Sequence, residues 1–176
     1  IDEIGTPIKF NWGKCPLATA SFGHGITTTL LQLAKAYSII VNGGYDIDPK
    51  LINTVPKAKK EKILNEGVSK KILPILRKIV STKEGTASLA NVPGYEIGGK
   101  TGTAEKISNK AYSSDKLTTF ISSFPINKPK YLVLVSLDNP EGVIGEYDTP
   151  YNTWGYSDAG WNVARTSRLI IDRISP

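Results

Sequence analysis

After "GTASLANVPG" (85–94) the helical periodicity of this chain gives way to short extended segments, and no other feature restricts its fold as tightly. Upstream, "TTTLLQLAKAYSIIVNGG" (27–44) offers threonines to cap a helix and Asn42-Gly43-Gly44 to stop it. Between them Leu30, Leu33, Ala34, Tyr37, Ile40 and Val41 recur on one face. A second helix is predicted from Ser69 to about Val80, with Ile72, Leu73, Leu76, Ile79 and Val80 inward and Pro74 set to shorten or kink it. Downstream, "IGGKTGTAE" (97–105) and "LTTFISSFPI" (117–126) read as strands. "YLVLVSLD" (131–138) is apolar enough for a central strand covered on both faces, joined to its predecessor by a tight connection at 127–130. A last helix is predicted from about Asp158 to Ile174, with Val163, Ser167, Ile170, Ile171 and Ile174 buried. Helices, then an antiparallel meander, then a terminal helix define an α+β fold with an antiparallel sheet of about three strands. This order excludes the strand-helix alternation of a doubly wound sheet.

The meander opens on "GYEIGGKTGTAEK" (94–106), whose letters satisfy two chemistries. Gly94 to Thr101 matches the G-x-x-x-x-G-K-[ST] pattern of a phosphate-cradling loop. That loop needs a buried strand before it and a helix starting at the lysine, so that amides and the positive helix end face the phosphates. Neither flank suits: Asn91, Pro93 and Gly94 spoil the strand, and Gly102, Thr103 and Asn109 spoil the helix. On a strand, period two puts Lys100 and Gly102 on one face and Thr101 and Thr103 on the other. At a sheet edge the ammonium gives positive potential, Gly102 lets a substrate backbone lie close, and the hydroxyls can bind a carboxylate. Taken alone, these residues also describe an ordinary surface strand.

Composition removes several classes. The chain has 176 residues, 22 basic against 16 acidic, for a net charge of +6. The densest basic run, "KAKKEKI" (57–63), is broken by Glu61 and follows a turn at Pro56, which reads as a solvated face, and no stacking aromatics accompany it. No nucleic-acid partner is expected. Cys15 and His24 are each the sole residue of their type, which excludes an internal disulfide and two-histidine zinc sites. No metal and no cofactor is expected. No run approaches the roughly eighteen apolar residues of a membrane span.

Four blocks in order resemble one family. "ASFGHGITTTLLQLAKAYSIIVNGG" (20–44), "GTASLANVPGYEIGGKTGTAEK" (85–106), "FISSFPINKPKYLVLVSLDNP" (120–140) and "WGYSDAGWNVA" (154–164) are similar to the C-terminal half of the transpeptidase domain of class B penicillin-binding proteins, most of all the septal, cell-division type. The resemblance implies a partial β-lactamase/transpeptidase-like fold, with residues 1–176 as the C-terminal portion of a single domain. It also implies a serine D,D-transpeptidase that cross-links peptidoglycan stem peptides through an acyl-enzyme and is trapped by β-lactams. Carried over by position, Lys100 is the lysine of the family's third motif, Thr101 and Thr103 contact the terminal carboxylate of the D-Ala-D-Ala substrate, and Gly102 permits its close passage. The N–H of Thr103 is one oxyanion-hole donor. Gly98 and Gly99 serve the strand without chemistry.

Two family motifs are missing from credible places. Ser113-Ser114-Asp115-Lys116 spells Ser-x-x-Lys in a polar connection between strands rather than at a helix start, and no Ser-x-Asn occurs. The expectation is therefore a chain that holds one wall of a cleft, with the nucleophile upstream, no catalytic residue of its own and no activity alone. The resemblance further implies a catalytic domain in the bacterial periplasm, an inner-membrane anchor outside these residues, no membrane contact by this portion, and cell-division proteins as candidate partners. A non-catalytic penicillin-binding-like sensor or assembly module is the alternative, and a nucleotide hydrolase the remote one. Cys15 is expected in a loop or half-buried, His24 in a structural or cleft-rim position, and Asp46 and Asp48 in a turn. Tyr147, Tyr151, Trp154, Tyr156 and Trp161 in the loop after 140 either rim a groove or pack over the sheet.

Overall fold

The computed structural model describes residues 14–23, 25–50, 61–108, 111–141 and 157–174. They form α1 (Lys14–Ala20), α2 (Leu30–Val41), α3 (Glu66–Ser81), a 3-10 turn (Ser88–Ala90), β1 (Gly98–Ser108), β2 (Ala111–Phe124), β3 (Tyr131–Asp138) and α4 (Val163–Ile174). The strands make a three-stranded antiparallel sheet in the order β1-β2-β3.

α2 begins where the threonines predict. Thr29 Oγ1 accepts the Gln32 N–H at 3.1 Å, and Gln32 Oε1 accepts the Thr29 N–H at 3.2 Å, so each end of this box satisfies an amide that the helix leaves free. Its stop is also the predicted one, with Gly43 and Gly44 at φ of 92° and 96°. A side chain at Gly44 would stand 2.1 Å from the Leu64 carbonyl oxygen. α3 starts earlier than its apolar pattern suggests, because Asn65 Oδ1 accepts the Gly67 N–H at 2.8 Å and caps it there. Pro74 does not end α3. The ring is exposed, so the Lys70 carbonyl that lacks its helical donor remains open to water.

Alternation along β2 sorts the core into two layers. Phe120 and Phe124 join Val80, Ala87, Ile97, Val163, Ala164 and Ile171 on the α4 side. Ile121 joins Tyr37, Val41, Leu76 and Ile126 on the α2-α3 side. Phe120 is fully buried at the junction of sheet and α4.

Three expectations are corrected. Among the described strands β3 is not central: it pairs only with β2, and its apolar residues serve the two layers, Val133, Val135 and Leu137 on the α4 side and Leu132 and Leu134 on the α2-α3 side. Within α4, Ile170 and Ile174 are 37% and 57% exposed, while Val163, Ala164, Ser167 and Ile171 carry the buried stripe. Cys15 is exposed on α1, a short helix that has no apolar periodicity to announce it.

Tyr37 ties α2 to the first residue of β1. Its hydroxyl donates to the Gly98 carbonyl at 3.1 Å and lies 3.5 Å from Ser123 Oγ. Burial pushes the phenol up to about 12, against a small opposing effect of the Ser123 hydrogen bond. The folded state therefore holds this proton more tightly than the unfolded one. The resulting stability is complete below about pH 10 and is lost as pH rises from about 10 to about 12. Chemical denaturation across that window should show wild type losing about 2–3 kcal/mol relative to Tyr37→Phe.

Candidate functional site

Among the described strands β1 is an edge, bonded on one side to β2. Lys100 stands opposite Ile121, Thr101 opposite Phe120, Gly102 opposite Thr119 and Thr103 opposite Thr118. Residues directly opposite in an antiparallel pair share a face. Lys100 and Gly102 therefore lie on the α2-α3 side, and Thr101 and Thr103 on the α4 side, as period two predicts.

The outer rim of this strand is sparsely occupied. Lys100 is exposed and its Nζ donates to the Thr101 carbonyl at 2.7 Å, with no carboxylate in ion-pair range among the described residues. A Cβ added at Gly102 would meet nothing within 4 Å. The second β1 lysine is neutralised instead: Lys106 Nζ lies 2.6 Å from Asp138 Oδ1, a hydrogen bond that holds the Lys106 ammonium above its usual range. Positive charge on the strand is thus concentrated at Lys100.

Behind the rim the strand is seated tightly. A Cβ at Gly99 would lie 2.6 Å from the Ile121 carbonyl and 2.7 Å from the Phe120 ring, and one at Gly98 would lie 2.5 Å from Ile126 Cγ1. Arg77 of α3 donates to the Ile97 carbonyl at 2.8 Å and to Asn91 Oδ1 at 3.2 Å, fixing the approach to β1.

The two threonine hydroxyls are engaged from the other layer. Thr101 Oγ1 donates to Thr86 Oγ1 at 3.1 Å, and Thr103 Oγ1 accepts the Ala159 N–H at 3.2 Å. Residues 83–86, 88–89 and 160–161 line a cavity of about 240 Å³ that includes Thr86, Leu89 and Trp161 in its wall. Both Thr86 and the segment before α4 lie in blocks that carry the family resemblance, but nothing in the sequence puts either in contact with the threonines of β1. Asp158 and Asn162 are cap-type residues ahead of an apolar run, which reads as a helix start and hides that five residues before Val163 pack on the sheet.

Other sequence candidates are dispersed. The run Ser113–Lys116 lies on β2, not in a connection: it falls where the β1-β2 register shifts, with Lys116 opposite Glu105, and no helical turn brings that lysine beside Ser113. Lys116 Nζ is 2.8 Å from Asp158 Oδ1. The turn expected at Asp46 and Asp48 is replaced by an extended segment, where Tyr45 bridges to Lys62 and Asp46 Oδ1 pairs with Lys35 Nζ at 3.1 Å. Lys100 is the third residue of an 11-residue strand, so the helix a phosphate loop requires does not start there. His24, Tyr147, Tyr151, Trp154, Tyr156 and most of the 57–63 run lie outside the described residues.

Residues 3–156 match the penicillin binding protein transpeptidase domain. The chain is 34% identical over 182 residues to the probable peptidoglycan D,D-transpeptidase FtsI of Caulobacter vibrioides, covering 97% of this chain and 29% of that protein. It is 38% identical over 156 residues to stage V sporulation protein D of Bacillus subtilis, covering 80% of this chain and 24% of that protein. Among solved structures, the apo TP domain of Burkholderia pseudomallei penicillin-binding protein 3 superposes with a TM-score of 0.73 at 27% identity, over 94% of this chain and 49% of that one. The chain belongs to the penicillin-binding protein transpeptidase family, and its sheet and helices are part of that fold. It spans less than a third of the curated relatives it matches.

Proposed function

We propose that this chain forms one wall of the catalytic cleft of a peptidoglycan D,D-transpeptidase and that Lys100, Thr101, Gly102 and Thr103 bind the donor stem peptide. The observation that carries this reading is the rim of β1: an ammonium with no carboxylate partner among the described residues, two hydroxyls, and free space over a glycine. An extended peptide adds to such an edge through main-chain hydrogen bonds, and the side groups orient it. Lys100 draws the anionic end in, the Thr103 hydroxyl donates to the terminal carboxylate, Thr101 joins it once its proton turns from Thr86, and the Thr103 N–H faces the oxygen that becomes negative as the scissile carbonyl is attacked.

In this scheme a serine oxygen bonds the penultimate D-Ala carbonyl, the amide C–N bond breaks, and the terminal D-Ala leaves with the proton. An amine of a neighbouring strand then takes the acyl group. The serine, its lysine and the Ser-x-Asn loop come from outside these 176 residues, since no Ser-x-Asn occurs here and Ser113 sits on a strand rather than at a helix start. Residues 1–176 are then the C-terminal portion of one transpeptidase domain. No helix of the described residues is long and apolar enough to cross a membrane. This reading assigns the anchor that would hold the catalytic domain in the periplasm at the inner membrane to another part of the intact protein. β-Lactams mimic the donor, and division proteins are the partners this role calls for.

Fluorescent penicillin tests the scheme. The full-length protein should label covalently and the 176-residue chain alone should not. Label on the chain alone would overturn the placement of the nucleophile, and a full-length protein that folds yet never labels would leave the sensor or assembly reading.

A further inference from the structure

We propose that the segment 158–162 is a clamp that aims the Thr103 hydroxyl into the cleft, with Asn162 and Asp158 as its positioning residues; this rests on the role given to Thr103 above. A hydroxyl has one proton to donate. Because the Ala159 N–H occupies a lone pair of Thr103 Oγ1 at 3.2 Å, the proton of Thr103 is directed elsewhere, toward an incoming acceptor. The clamp determines which hydrogen bond that hydroxyl has left to make.

Its attachment is threefold, at two points on β2 and one on the 82–89 turn. Thr118, the cross-strand partner of Thr103 and itself fully buried, donates from Oγ1 to Asn162 Oδ1 at 3.1 Å. Lys116, the partner of Glu105, holds Asp158 at 2.8 Å. Between these points Gly160 passes so close to the 82–89 turn that a Cβ there would lie 2.4 Å from the Thr86 carbonyl oxygen. Ala159 and Val163, at 1% and 0% exposure, bury the two ends of the segment that presents the amide.

Asn162 works through its oxygen. Oδ1 accepts both the Thr118 hydroxyl and the Val163 N–H, whereas Nδ2 has no partner among the described residues. Aspartate keeps that oxygen and adds charge at a helix N-terminus, where charge of this sign is favoured. Alanine removes the anchor.

The test compares, in the full-length transpeptidase, acylation by a penicillin with a free carboxylate and by its methyl ester. Wild type should favour the carboxylate. Asn162→Ala should lower that preference about tenfold, the weight of one hydrogen bond to a charged group, and Thr103→Val at least as much. Asn162→Asp should restore it, an effect that a purely structural role for the amide would not produce. If folded Asn162→Ala keeps the wild-type preference while Thr103→Val loses it, the clamp is overturned and the carboxylate role survives. If Thr103→Val also keeps it, the role of Thr103 itself falls, and the clamp with it. Should Asn162→Ala fail to fold, Asp158→Asn at the exposed end replaces it, and an unchanged preference there overturns the clamp equally.

Discussion

Alanine at position 100 should slow penicillin acylation of the full-length transpeptidase by about 10²–10³-fold, the scale on which loss of one preorganised charge-stabilising group is felt. The expectation follows from what surrounds the ammonium. Lys106 and Lys116 are held by Asp138 and Asp158, whereas Lys100 Nζ makes its hydrogen bond to the Thr101 carbonyl and meets no carboxylate among the described residues. Its field is therefore directed at whatever enters the trough. The same exposure makes the change harmless to folding, and the melting temperature should stay within a few degrees. Stopped-flow acylation with a chromogenic β-lactam gives the rate. A decrease smaller than about threefold would remove Lys100 from the transition-state interactions.

Gly99→Ala should do the reverse, with its main damage in stability. The added Cβ would lie 2.6 Å from the Ile121 carbonyl oxygen and 2.7 Å from Phe120, a residue with no exposed surface. Neither can withdraw without distorting the β1-β2 ladder or the aromatic core. Overpacking of this kind costs about 3 kcal/mol, or about 6–12 °C of melting temperature for a chain of this size. Three positions along, Gly102→Ala meets open space and should leave thermal stability nearly unchanged while slowing acylation, because the methyl occupies the path of the substrate backbone. Calorimetry and acylation on the same pair of variants separate a glycine needed for packing from one needed for access. Equal melting temperatures for the two would contradict this packing description.

Most of the element order was readable because it depends on local pattern. Thr29, Asn42 and Gly43-Gly44 bound α2 as cap and stop residues do, and the β3 limits, Tyr131–Asp138, coincide with the predicted ones. The errors have a common origin. The polar residues Ser113–Lys116 look like a connection, yet they lie within β2, at a register shift flanked by the pairs Glu105-Lys116 and Ile107-Tyr112. Ile170 and Ile174 look like core, yet they lie beside the stripe that meets the sheet. The start of α4 looks like Asp158, yet that carboxylate is engaged by Lys116 and the helix waits until Val163. In each case packing between elements overrode what the residue types suggest one at a time.

The order of amino acids by itself determined that residues 97–105 are extended, that Lys100 and Gly102 share a face opposite Thr101 and Thr103, and that a phosphate loop is excluded, because backbone propensity and side-chain period act between near neighbours. Only the tertiary structure decided that β1 is an open edge, that Gly99 is enclosed while Gly102 is free, and that Thr86 and Ala159 reach the two threonine hydroxyls. Those facts depend on which distant segments the two buried layers bring against the strand, and burial of apolar surface, which selects those segments, is not directional along the chain.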